Sequence, residues 1–275
     1  MNTLPLAALA AVVGVLVVGP FVTYAVVRWT GWRVALPLLL GRVPTSVEVG
    51  RPAARCRRCG ATLAPGALPA IVGVAAGARC RRCREPVAGP AVAIEVACGL
   101  GWGVAALVVG WSVVLVPVLA LVTGLVAMSA VDLVVMRIPT RFVYVTAVAV
   151  LAGAALVAVL EGPARRLAGA GVGALALGGF LLVLHLVSPR ALGFGDVRLG
   201  VLVGAAAGWS AWRPDHPVLM PVQGVLNAGL VAGLVGSIVG LALLVVRRRD
   251  RPFPFGPALA FGGLVVTLAT AAGPV

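Results

Sequence analysis

The sequence predicts an all-α fold: a polytopic membrane helical bundle of about eight transmembrane helices, with a small zinc-binding cytoplasmic loop. Three observations predict it. Hydrophobic residues fill 61% of the 275 positions and charged ones 11%, with a mean hydropathy of +1.11, which lies outside the range of soluble domains. Apolar runs recur along the chain, most of them near the ~20 residues that cross a hydrocarbon core. One hydrophilic stretch, 28–90, carries two Cys-x-x-Cys pairs.

The expected spans are Leu6–Val27, Ala91–Val109, Val113–Val131, Phe142–Leu160, Leu167–Val187, Val197–Ala211, Val222–Val246 and Pro257–Ala272. The sixth is short and rich in glycine. The domain organisation that follows is a first transmembrane helix over 1–27, a cytoplasmic loop over 28–90 and a membrane domain over 91–275. Leu6–Val27 is long enough to span and has no basic region before it, so no cleavable signal peptide is needed. Glycine and alanine run through nearly every span, as close helix packing in a bundle requires.

Arginine sets the orientation. All 22 basic residues are arginine, and the net charge is +14. With the N-terminus outside, nineteen arginines fall on the cytoplasmic side and only Arg165, Arg166 and Arg213 on the other, the asymmetry of a membrane protein retaining positive loops inside. The charge is thus explained by membrane lipid, and no nucleic acid partner is expected. Asp132 and Asp196 then share the cytoplasmic side.

The loop holds Cys56-Arg57-Arg58-Cys59 and Cys80-Arg81-Arg82-Cys83, with twenty residues between Cys59 and Cys80. Two such pairs have the spacing of a four-thiolate zinc site, with Cys56, Cys59, Cys80 and Cys83 as ligands. The other readings are two disulfides or free thiols, and a cytoplasmic loop argues against the disulfides. Four cysteines close the coordination sphere, so a zinc ion here is structural. Cys98, alone in the second span, reads as a small packing residue. Glu95 in the same span is costly to bury and is either functional or paired. His185 reads as a hydrogen-bonded packing residue, and Asp215 and His216 as solvated. Arg247-Arg248-Arg249-Asp250-Arg251 is a headgroup anchor, and Pro252 to Pro257 is too rich in proline to be helical throughout.

Chemistry concentrates on two of the 8 acidic residues. Asp132 closes one apolar run and precedes Ile138-Pro139; Asp196 follows Gly193-Phe194-Gly195 at the mouth of another. Alone, Asp196 reads as a helix N-cap. Together, two neighbouring carboxylates share a proton, so one activates water while the other protonates a leaving amine. The Gly-x-Gly turn would let an extended substrate approach the backbone. Asp196 opens its helix, where the dipole favours an anion, while Asp132 ends its own. That contrast predicts Asp196 as the ionised partner and water activator.

Asp132 with Ile138-Pro139, Gly193-Phe194-Gly195-Asp196-Val197-Arg198-Leu199, and Pro254-Phe255-Gly256-Pro257 together resemble the three signatures of the type IV prepilin peptidases, intramembrane GxGD aspartic proteases. The double Cys-x-x-Cys loop resembles the N-terminal domain of their larger bacterial members. The resemblance covers nearly the whole chain. It implies cleavage of a basic leader from prepilins or pseudopilins at the cytoplasmic face of the bacterial inner membrane, with Asp132 and Asp196 as the catalytic pair. It implies active-site roles for Gly193, Phe194, Gly195 and Arg198, and supporting ones for Pro139, Pro254, Phe255, Gly256 and Pro257. Many relatives with this loop also methylate the new N-terminus using S-adenosylmethionine. Three departures stand out. Arg198 replaces a usual lysine, Thr140 a usual aspartate, and Gly41-Arg42-Val43-Pro44 is a remnant of a longer motif in the region credited with methylation. The rival readings are a proton- or cation-coupled transporter using Asp132 and Asp196, and a membrane-anchored zinc module. Nothing in the sequence fixes an oligomeric state.

Overall fold

The structure, a computed structural model, describes residues 3–30, 71–72, 82–84, 90–162, 164–189, 192–247 and 254–271. Among these residues the regular structure is entirely helical, as the apolar runs predicted. The first run forms α1 (Leu4–Val13) and α2 (Gly19–Thr30), joined by a π-helical turn at Gly14–Val18 into one continuous rod. Then come α3 (Pro90–Val109), α4 (Leu115–Val135), α5 (Thr140–Leu160), α6 (Arg166–Val187), α7 (Phe194–Ala211), α8 (Leu219–Arg247) and α9 (Gly256–Ala271).

Among the described residues every expected span is helical, but six helices rather than eight are long and apolar enough to cross a membrane. The two that fall short are α7 and α9. The reason for α7 is its place in the bundle. It packs against α5, α6, α8 and α9, and nearly everything from Val197 to Ala211 is buried. A helix sheathed in protein needs no apolar surface for lipid, so it can carry polar residues at its end. The outer helices show the converse. Val145, Val148 and Val159 of α5, Leu175 and Val187 of α6, and Ile238 of α8 are exposed, the face a hydrocarbon solvent requires.

Close approach of α6 and α7 depends on glycine. A Cβ added at Gly204 would lie 2.3 Å from the carbonyl oxygen of Gly173, and one at Gly208 would lie 2.3 Å from that of Gly169. These contacts are with backbone, which has no rotamer to yield. The central core gathers Leu121, Leu125 and Met128 of α4 with Leu199, Leu202 and Val203 of α7 and Leu259 of α9. A second cluster ties the first rod to the rest through Val22, Val26, Ile94, Cys98 and Val131.

Candidate active site

The two aspartates reach one place from different helices. Asp132 stands in the last turn of α4, which ends when Met136 adopts a left-handed conformation (φ 52°) and donates its N–H to the Asp132 carbonyl at 2.8 Å. The chain turns through Ile138 to Pro139, which is extended and precedes the first residue of α5. Proline suits that place because its φ is preset and its missing N–H has no partner to lose. Asp196 lies in the first turn of α7. The helix is capped by Gly193, and Asp196 is the third helical residue, so the alternative reading of it as an N-cap does not hold. Its Oδ2 accepts the Gly193 N–H at 3.2 Å.

The third segment closes the site. Pro254 and Phe255 are non-helical, and α9 starts at Gly256 with Pro257 in its first turn, where proline is well tolerated. The Gly256 N–H donates to Asp132 Oδ2 at 3.1 Å. A Cβ on Gly256 would sit 2.6 Å from that oxygen and 3.2 Å from Ile138 Cδ1, and one on Gly195 would sit 3.1 Å from Ile138 Cβ. Ile138 therefore packs between the segment that carries Asp196 and the one that binds Asp132. Its neighbour Pro139 drew attention in the sequence while Ile138 itself drew little. Its signal was position: an isoleucine held between the end of one span and a proline. The Asp196 carboxylate lies within electrostatic reach of Asp132. Asp132 is only 5% exposed, whereas Asp196 is half-buried and Gly193 and Phe194 are exposed.

One expectation changes here. The sequence set Asp196 at a helix N-terminus against Asp132 at a helix end. In the structure Asp132 also receives an N–H from a helix N-terminus, that of α9, so the dipole no longer distinguishes the pair. Exposure does: Asp132 is buried and Asp196 only half-buried.

Arg198, half a turn further into α7, donates from Nη1 to the Thr140 hydroxyl. Its guanidinium carbon lies 4.7 Å from the centre of the Phe194 ring. The Phe194 ring in turn meets His185 of α6 at 5.4 Å, and His185 Nδ1 bonds the Leu192 carbonyl at 2.7 Å. His185 is a hydrogen-bonded packing residue, as expected. The two positions at which the membrane domain departs from the pattern it resembles, Thr140 and Arg198, are thus bonded to each other.

Glu95 is fully buried, and its Oε2 accepts the Ile71 N–H at 2.8 Å, tying the loop to α3. Cys56, Cys59 and Cys80 lie outside the described residues. Cys83 is half-buried in a turn followed by Arg84 in a left-handed conformation (φ 55°). A largely apolar groove of about 580 Å3 opens between α2, α3, α4 and α5, lined by Phe21, Trp102, Thr123 and Arg141 among others. None of the residues around the carboxylates lines it, so the groove is separate from the site.

The model of the type IV leader peptidase family matches residues 119–245, and that of the Bacterial Peptidase A24 N-terminal domain matches residues 13–109. The chain is similar to the prepilin leader peptidase/N-methyltransferase of Myxococcus xanthus, with 34% identity over 79% of this chain and 61% of that protein. It is similar to those of Stutzerimonas stutzeri, at 32% over 64% of this chain and 57% of the relative, and Bacillus subtilis, at 26% over 82% and 86%. The chain thus spans less than two thirds of the first two relatives. No solved structure matches it. The family models thus account for residues 13–109 and 119–245, and the three signatures fold into one site: over these segments the chain is a member of the type IV leader peptidase family.

Proposed function

We propose that the protein is an intramembrane aspartic endopeptidase that removes the leader from type IV prepilins or pseudopilins at the cytoplasmic face of a bacterial inner membrane. The observation that carries this reading is the convergence of Asp132 and Asp196, each holding a backbone N–H from a glycine of a signature segment. Asp196, which solvent reaches, takes a proton from a water molecule as its oxygen attacks the scissile carbonyl carbon. Asp132, buried, gives its proton to the carbonyl oxygen. When the C–N bond of the resulting diol breaks, the leaving amine takes the proton held by Asp196, and the other hydroxyl proton returns to Asp132. The Gly193-Phe194-Gly195 turn, exposed at its first two residues, lies where an extended peptide would meet the pair.

The one-sided arginines favour a cytoplasmic site with the N-terminus outside. A transporter places its coupling carboxylates near the middle of the bilayer, whereas Asp132 and Asp196 occupy helix ends. Cys56, Cys59, Cys80 and Cys83 form a donor set suited to one tetrahedral zinc ion, which would hold the loop's fold and take no part in hydrolysis. N-methylation of the new N-terminus is a second activity that the relatives' names and the match to the N-terminal domain support, and S-adenosylmethionine would be its methyl donor.

The test is cleavage of a model prepilin in membranes by the wild type, Asp132→Asn and Asp196→Asn, with the product's N-terminus read by mass spectrometry. Cleavage by the wild type alone is the expected result, and a mass gain of one methyl group reports the second activity. Cleavage by either variant would overturn the paired mechanism.

A further inference from the structure

We infer that Arg198 and Thr140 form a positioning clamp that sets the distance between Asp132 and Asp196; the inference rests on the peptidase reading above. The helices that carry the aspartates are bridged by others, since α4 and α7 each pack on both α5 and α9. The separation of the carboxylates therefore depends on how those bridges are pinned. Among the described residues, the Arg198 to Thr140 hydrogen bond is the one polar side-chain link between α5 and α7. It joins two short levers. Thr140 is the first residue of α5, coupled to Asp132 through the turn at Met136 and the buried pair Ile138 and Pro139. Arg198 lies half a turn beyond Asp196 on a rigid helix.

The arginine is itself held. Its guanidinium stacks on Phe194, and the other side of that contact network is His185, fixed by its bond to the Leu192 carbonyl. A planar fork that stacks and donates in a set direction is what arginine offers and lysine does not. The Gly193-Phe194-Gly195 turn is thus gripped from α6 through His185 and from α5 through Thr140. Hydrolysis by a carboxylate pair is sensitive to such placement, because an error of about 1 Å can cost about a hundredfold in rate.

The experiment is a double-mutant cycle on full-length protein in membranes, reading kcat and KM for prepilin cleavage together with the thermal midpoint of the purified protein. Thr140→Val and Arg198→Ala are each expected to lower kcat by about tenfold or more, with KM within twofold and little change in midpoint. The double variant should be no slower than Arg198→Ala, since both changes break one link. Arg198→Lys should lose activity that Thr140→Asp restores in the same chain, by replacing the stacked fork with a charge-assisted pair. Independent, multiplying effects of the two single changes would overturn the clamp, as would unchanged kcat in Thr140→Val or a loss confined to thermal stability. If Asp132→Asn is inactive while the clamp variants are fully active, the clamp fails and the peptidase reading stands. If the wild type cleaves nothing, both fall.

Discussion

Gly256 lacks a side chain where Asp132 needs the space. A methyl group there would come within 2.6 Å of the carboxylate oxygen, so the buried aspartate must shift the oxygen that accepts the Gly256 N–H. Gly256→Ala is therefore expected to lower kcat for prepilin cleavage at least about tenfold, a barrier change of about 1.4 kcal/mol. Gly195→Ala meets Ile138 at 3.1 Å, a contact that a small shift accommodates, and should cost less. Steady-state kinetics of the two variants side by side checks the order. A reversed order would mean that Gly195, not Gly256, governs the carboxylate. Glu95 illustrates the same economy of burial. Glu95→Gln keeps an acceptor for the Ile71 N–H, whereas Glu95→Leu strands it. The expected difference between the two is about 1–3 kcal/mol in favour of glutamine, read by denaturant or thermal unfolding.

Among the helices, the α6–α7 pair shows how composition becomes architecture. Gly169, Gly173, Gly204 and Gly208 allow backbone-to-backbone contact, so α7 can be surrounded on several sides and still fit. Gly204→Ala drives a methyl into the Gly173 carbonyl, and an overpacking cost of about 1–3 kcal/mol follows. Gly171→Ala and Gly179→Ala lie on the same α6 with nothing within 4 Å. They should be neutral or slightly stabilising, because alanine is the better helix former. Thermal unfolding in detergent separates the two classes. Equal midpoints for all three would show that α6 and α7 do not pack through these glycines.

For the molecule as a whole, the proposed orientation that gathers the arginines on one side also puts both aspartates there, and Asp196 lies within electrostatic reach of Asp132. Cysteines introduced singly at Ser188 and Asp215, which flank opposite ends of the α6–α7 pair in exposed positions, should label from opposite faces with a membrane-impermeant maleimide. Ser188→Cys is expected to react only once the cytoplasmic face is opened, and Asp215→Cys in intact cells or spheroplasts. Reaction of both from the same face would overturn the topology.

The helices and their order are legible in the chain alone, and the same reading singles out Asp132 and Asp196. Those signals are local: an apolar run must be helical in lipid because its backbone has no water to bond, and a carboxylate beside such a run is costly enough to notice. The sequence also marked Pro252 to Pro257 as a stretch that is not helical throughout, and within it Pro254 and Phe255 are non-helical before α9 starts at Gly256. Of the four paired cysteines, Cys83 alone lies among the described residues. That α7 lies inside the bundle, and that Asp132 accepts its hydrogen bond from α9, 124 residues further along, emerges from packing. Nor could spacing reveal that Thr140 and Arg198, 58 residues apart, are partners. Such contacts depend on how closely helices approach and how each is rotated about its axis, and in spans that are apolar all round those are set by packing, not by any periodicity that can be read along one chain.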